Sequence, residues 1–162
     1  MGRREIVIDP YDKKRSEKSQ ALDIALRLGT EARRVTRKED LFPKRARWQG
    51  AYQIMDLAIK VQMAVAYANG IRVETHGLMV ERYNAQSMAW SWVYTMDAIV
   101  SAMQHDLEAD ADKLDTLAGL LNQARKTIRA WQQADLKRYE PQFGSLTAAE
   151  LGEPSTVKLR WF

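Results

Sequence analysis

The chain has 162 residues, a length typical of one domain, with 46% hydrophobic and 28% charged residues. It contains no cysteine, which excludes disulfides, thiolate zinc sites, iron–sulfur clusters and a cysteine nucleophile. No apolar run approaches the roughly 20 residues that span a bilayer, and the first residues lack the apolar stretch of a secretory signal. We therefore expect a cytoplasmic protein with no membrane partner.

The net charge of +4 is unevenly distributed along the chain. Residues 1–50 contain 14 Lys or Arg against 8 Asp or Glu, a net of +6, whereas residues 51–100 and 101–162 each have a net of −1. A basic excess confined to one third of a chain indicates a polyanionic partner. A solvated basic surface that binds nothing is the alternative.

Apolar residues recur with the 3.6-residue period of a helix through most of the chain. This pattern, with breaks at Pro43, Gly70 and Pro141, predicts four helices over residues 16–40, 46–69, 78–106 and 110–139. Short links between long helices predict an all-α, up-down-up-down four-helix bundle. The predicted organisation is an N-terminal arm (1–15), the bundle (16–140) and a loosely held C-terminal tail (141–162).

The third predicted helix has apolar residues on two opposite sides. One stripe runs from Ala85 to Met103, and Tyr83, Trp90 and Tyr94 lie on the other side. A four-helix monomer covers one side of each helix, so the aromatic stripe is a candidate interface with another subunit or a partner. A few partly exposed aromatic side chains are the alternative.

Basic residues are concentrated at the junction of the first two helices, with a smaller set on one flank of the fourth. Their density favours phosphate contacts without base-specific readout, and Trp48 beside them could stack on a base or pack in the protein. The alternative is a basic end that binds nothing. The candidate nucleic-acid-binding residues are Arg33, Arg34, Arg37, Lys38, Lys44, Arg45 and Arg47 at the junction, and Lys126, Arg129 and Lys137 on the flank.

Motifs for catalysis and cofactor binding are missing. The sequence has no Glu-x-x-His pair, no phosphate-binding glycine loop and no recognisable catalytic triad. His76 is expected in a solvated link, His105 near a helix end, and the acidic run 106–115 in a solvated turn. We therefore predict no metal, no cofactor and no enzymatic activity. An enzyme using Asp56 and Asp97 in a bundle core is the weakest of the alternatives.

One segment carries a family resemblance. The sequence Phe42-Pro43-Lys44-Arg45-Ala46-Arg47-Trp48 precedes an amphipathic helix that ends in Ala68-Asn69-Gly70. It resembles the four-helix-bundle family that includes proteins encoded in intervening sequences of 23S ribosomal RNA genes. That family also includes the accessory variability determinant of diversity-generating retroelements. The resemblance covers roughly residues 18–139, and Arg45 and Ala46 depart from the usual motif.

The resemblance implies a basic homopentamer shaped like a barrel or ring. Such a protein associates with the reverse transcriptase of a retroelement and binds nucleic acid, notably template RNA or a cDNA/RNA hybrid. It supports cDNA synthesis in mutagenic retrohoming and is not itself an enzyme. The alternative is a structural bundle of the intervening-sequence type without a nucleic-acid partner.

Overall fold

The computed structural model describes residues 17–152, most of which are helical and none of which form a strand. The all-α prediction is confirmed. The predicted arm (1–15) and the last ten residues of the predicted tail lie outside the described residues. The α-helices are α1 (Glu17–Thr36), α2 (Ala51–Gly70), α3 (His76–Leu107), α4 (Asp115–Phe143) and α5 (Ala148–Gly152). Two 3₁₀ segments, Lys44–Gln49 and Glu108–Leu114, precede α2 and α4.

Helix ends follow local chemistry, but four bounds differ from the predicted ones by four or five residues. Helices α2 and α4 begin later than predicted, after the 3₁₀ segments, and the ends of α1 and α4 also differ. Helix α1 ends at Thr36 rather than at Asp40, and the chain then turns with the Phe42 N–H donating to the Lys38 carbonyl (2.8 Å). Helix α4 continues through Pro141 to Phe143. It stops where Gly144 adopts a φ of 89°, a left-handed conformation that favours glycine at a helix C-terminus.

The four long helices form a closed cycle of neighbours. Helix α1 packs against α2 and α4, and α3 packs against the same two helices. The contacts Arg82–Asp135 and Asp97–Arg125 show that α3 and α4 run antiparallel, because the residue numbers rise on one helix as they fall on the other. Each helix thereby buries its apolar face in one shared core.

Small residues bring α1 close to α2. Ala21, Ala25 and Ala32 are buried on the inner face of α1, as the alanine-rich pattern predicts. A Cβ atom at Gly29 would lie 2.0 Å from the Gln62 amide nitrogen, so glycine makes room for this side chain. Gln62 donates to the Ala25 carbonyl (3.3 Å) and thereby ties the two helices together.

A second, smaller apolar cluster lies near the start of α3. Its buried members are Val73, Met79 and Leu146, and Tyr83 and Phe143 pack against them. Leu146 belongs to the segment between α4 and α5, within the predicted tail. Leu146 therefore attaches the segment after α4 to the helices, while most of the other described residues from 144 to 151 are exposed.

Candidate nucleic-acid interface

The predicted junction residues lie at one end of the packed helices. Helix α1 ends there, and the turn and first 3₁₀ segment bring the later basic residues beside it. Most of the seven side chains are exposed, and Trp48 is exposed as well. Arg34 forms a bidentate pair with Glu31, and hydrogen bonds to this carboxylate raise the pKa of Arg34. Arg47 is half-buried and donates to the Phe42 carbonyl (3.4 Å).

Acidic residues share this end of the molecule. Helix α3 ends here and α4 begins, so the acidic run 106–115 lies beside the basic junction. Lys113 joins the two regions, with Nζ 2.9 Å from a carboxylate oxygen of Asp40 and 3.2 Å from one of Asp110. The hydrogen bond between Lys113 and Asp40 raises the pKa of the lysine and lowers that of the carboxyl. Charges of both signs within a Debye length weaken the positive field of the junction.

The α3–α4 surface brings together two of the predicted sets. Trp90 and Tyr94 stack, with ring centres 5.5 Å apart and planes 16° from parallel. The Arg129 guanidinium lies 4.6 Å from the centre of the Trp90 ring, and the Arg125 guanidinium lies 5.9 Å from that of Tyr94. These distances fall within the range of cation–π attraction. We call these four side chains the cation–aromatic surface.

Hydrogen bonds hold Arg129 in place. Its guanidinium donates to the Gln132 side-chain oxygen (2.8 Å), and the Gln132 amide nitrogen donates to the Ser87 hydroxyl (2.6 Å) and the Tyr83 carbonyl (3.2 Å). Gln132 is fully buried, so this chain connects an exposed cation to the backbone of α3. The guanidinium is thereby oriented before any ligand arrives.

The remaining residues of the predicted basic flank and aromatic stripe do not all lie at the cation–aromatic surface. Lys126 is exposed one position beyond Arg125 on α4, and Lys137 is exposed nearer the C-terminal end of that helix. Tyr83 is half-buried against the second apolar cluster and does not stack with the other two aromatic residues. Tyr94 is 54% exposed, whereas Trp90 is half-buried against the core.

Arg125 was absent from the predicted site, although a sequence signal for it exists. Arg125 and Arg129 are four residues apart, as are Trp90 and Tyr94, so antiparallel helices can align the two pairs. Asp97 also contacts Arg125 (3.4 Å), leaving Arg129 and Lys126 as cations of this region without a carboxylate in salt-bridge contact among the described residues.

A second surface that the sequence analysis missed lies on α2. Tyr52, Ile59 and Met63 are exposed at spacings of seven and four residues, which places them on one side of the helix. Leu26 on the neighbouring α1 is also exposed. The composition of α2 could have indicated this surface, because Asp56 and Lys60 are the only charged residues among its twenty. A helix with few charged residues and with apolar residues on its outer side favours cover on more than one side.

A buried polar network joins α3 to α4. Arg82 and Asp135 are 4% and 6% exposed, and two hydrogen bonds of 2.6 and 3.2 Å connect them. Gln86 donates to the same carboxylate (2.6 Å), and Arg82 also donates to the Ile71 carbonyl (3.1 Å). Because every charged group here has a buried partner, the network is compatible with a structural role.

Asp56 and Asp97, the residues of the enzyme alternative, do not converge on one site. Asp56 pairs with Lys60 (2.9 Å) on the surface of α2, and Asp97 pairs with Arg125. Within residues 17–152 there is no group of three or more His, Cys, Asp or Glu residues arranged to hold a metal ion. A shallow depression of about 440 Å³ lies beside the link between α2 and α3 and is lined by neither aspartate. No helix in this part of the chain is long and apolar enough to cross a membrane.

Comparisons with known proteins identify no relative. No family model matches the chain, and no curated protein or solved structure is significantly similar to it.

Proposed function

We propose that this chain is a non-catalytic accessory protein of a diversity-generating retroelement. It binds template RNA and the reverse transcriptase, and it supports cDNA synthesis in mutagenic retrohoming. The proposal joins the resemblance at residues 42–48 and 68–70 to one structural observation, the cation–aromatic surface. Oriented guanidinium groups can bind the phosphates of single-stranded RNA, and an exposed aromatic ring beside them can stack on its bases.

The proposed binding mode does not depend on base sequence. Arg129 and Lys126 contact phosphates, and Tyr94 offers part of a ring on which a base can stack. The exposed residues of the basic junction add a second contact region, weakened by the neighbouring carboxylates. In this arrangement the α3–α4 surface contributes more to RNA affinity than the junction does.

The proposed assembly is a ring of up-down-up-down four-helix bundles, with a pentamer implied by the resemblance. The exposed apolar side of α2 supports an oligomer, because Tyr52, Ile59 and Met63 would be removed from water in a subunit contact. A ring also repeats each basic surface, which strengthens the positive field of the assembly. Tyr94 remains a candidate for the contact with the reverse transcriptase.

RNA binding tests the proposal directly. The probe is a labelled single-stranded RNA of mixed sequence, and binding is measured by fluorescence anisotropy from low salt to about 150 mM. We expect Arg129→Gln combined with Lys126→Gln to weaken binding at every salt concentration. Arg27→Gln, which changes an exposed arginine on α1, is the matched control. Equal affinity for all three proteins would reject the assigned surface.

A structural bundle without a nucleic-acid partner is the second candidate, and the Lys113–Asp40 contact favours it. Carboxylates at the basic end reduce the attraction for RNA that the sequence alone suggests. Sedimentation with RNA at about 150 mM salt separates the candidates, because lack of co-migration indicates the structural protein. A reverse-transcriptase gene and a pair of near-identical repeats beside the coding gene would support the accessory protein.

A further inference from the structure

His76, the first residue of α3, contacts two segments that lie far away in the sequence. Its Nδ1 atom is 2.9 Å from the Phe143 carbonyl oxygen at the end of α4. Its Nε2 atom is 2.9 and 3.2 Å from the two carboxylate oxygens of Glu150 in α5. Both ring nitrogens therefore face hydrogen-bond acceptors.

Both contacts require a protonated ring. An imidazolium donates from both nitrogens, whereas a neutral imidazole keeps one N–H and presents a lone pair at the other nitrogen. Loss of the proton therefore leaves a lone pair facing either the Phe143 carbonyl or the Glu150 carboxylate. Either arrangement replaces an attraction with a repulsion.

Glu150 is held in position by its own segment. Its carboxylate accepts from the Thr147 N–H (2.8 Å), and its N–H donates to the Thr147 hydroxyl (3.2 Å). This reciprocal pair is a capping box at the start of α5. The carboxylate that faces His76 is therefore fixed relative to α5, and His76 connects the whole segment to α3.

We propose that His76 is a pH-dependent clasp that docks residues 144–152 against α3 when the imidazole is protonated and releases them when it is neutral. The proposal does not rest on the proposed function. Release removes Leu146 from the second apolar cluster and exposes Val73 and Met79 beneath it. Protonation of His76 therefore controls whether the second apolar cluster is covered or exposed to solvent.

The charges around His76 set the pH range of docking. The hydrogen bond to Glu150 raises the pKa of His76 above its usual value of about 6.5, and the Phe143 carbonyl adds to this effect. The Thr147 N–H lowers the pKa of Glu150, and His76 contributes further. Docking is strongest between these two pKa values; it weakens as the pH rises through that of His76 or falls through that of Glu150.

Other charged groups near this site do not supply a competing partner. In the link before α3, Arg72 and Glu74 pair with each other (3.1 Å). On the last turn of α4, Glu140 is half-buried and forms no salt bridge with His76. Glu150 is the charged group whose contact with the ring the structure shows.

Nuclear magnetic resonance of the full chain tests the clasp, because the sequence contains only two histidines. We expect His76 to titrate at a higher pH in the wild type than in Glu150→Gln. The backbone amides of residues 146–151 should shift with the same midpoint as His76. His105→Gln assigns the two imidazole signals and is the control, since His105 is an exposed residue of α3.

Two results would overturn the proposal. One is a His76 midpoint that does not change in Glu150→Gln, and the other is a set of 146–151 amides that do not respond across that midpoint. A second variant, His76→Phe, removes both hydrogen bonds and should keep these amides in the released state at every pH. If this variant does not fold, Glu150→Gln still decides the question, because Glu150 is a partly exposed residue of the short helix α5.

Discussion

The Arg129 guanidinium lies over the Trp90 ring, 4.6 Å from its centre, and connects a cationic helix flank to an aromatic one. Gln132 fixes the guanidinium from below through its hydrogen bonds to α3. Through this contact, the half-buried Trp90 of α3 and the exposed Arg129 of α4 form one surface. Substitutions of Arg129 can therefore distinguish the contribution of its planar stacking from that of its positive charge.

Arg129→Lys tests the separation of charge from stacking. Lysine keeps the positive charge but lacks the planar guanidinium, so we expect weaker RNA binding with an unchanged salt dependence. Arg129→Gln removes the charge and should reduce the slope of log K against log salt by about one unit. Fluorescence anisotropy over a salt series measures both quantities. Wild-type affinity in Arg129→Lys would contradict a role for stacking, whereas identical behaviour of the two variants would contradict a role for charge.

Asp135→Ala tests the buried network. It leaves the Arg82 guanidinium buried without its carboxylate, so the free energy of unfolding should fall by about 3–5 kcal/mol. Asp56→Ala removes a surface pair with Lys60 and should cost less than about 1 kcal/mol. Urea denaturation followed by circular dichroism measures the difference. Similar losses for both variants would show that the network is not a major source of stability.

Substitutions on α2 test the proposed oligomer. Ile59→Lys combined with Met63→Lys places two charges on the exposed apolar side of the helix, so a subunit contact there should dissociate. Sedimentation velocity measures the assembly, and Thr95→Lys, at an exposed position of α3, is the control. An unchanged sedimentation coefficient for the double variant would place the subunit contact elsewhere.

Asp40→Asn tests the influence of carboxylates at the basic junction. It removes the negative charge beside Lys113, so RNA binding at low salt should become several-fold tighter if this end contacts RNA. Asp23→Asn, which removes a carboxylate from an ion pair with Arg27 in α1, is the control. If both variants bind RNA as the wild type does, the junction does not contribute to binding.

The sequence by itself determined the helical class and four of the eight bounds of the long helices to within two residues, because these depend on local chemistry. The 3.6-residue period defines an apolar face, and proline and glycine mark its limits. The predicted end of the fourth helix at Tyr139 was wrong by four residues, since one proline in the last turn does not prevent the helix from continuing to Phe143. The capping box at Thr147 and Glu150 was also readable, and the sequence analysis missed it.

Only the tertiary structure decided which distant residues meet. Lys113 contacts Asp40 and His76 contacts Glu150 across 73 and 74 residues of sequence. Periodicity shows which side of a helix is apolar, but it does not show which neighbour lies against that side. For this reason the basic junction was predicted without its carboxylates, and Trp90 was predicted without the guanidinium that covers it.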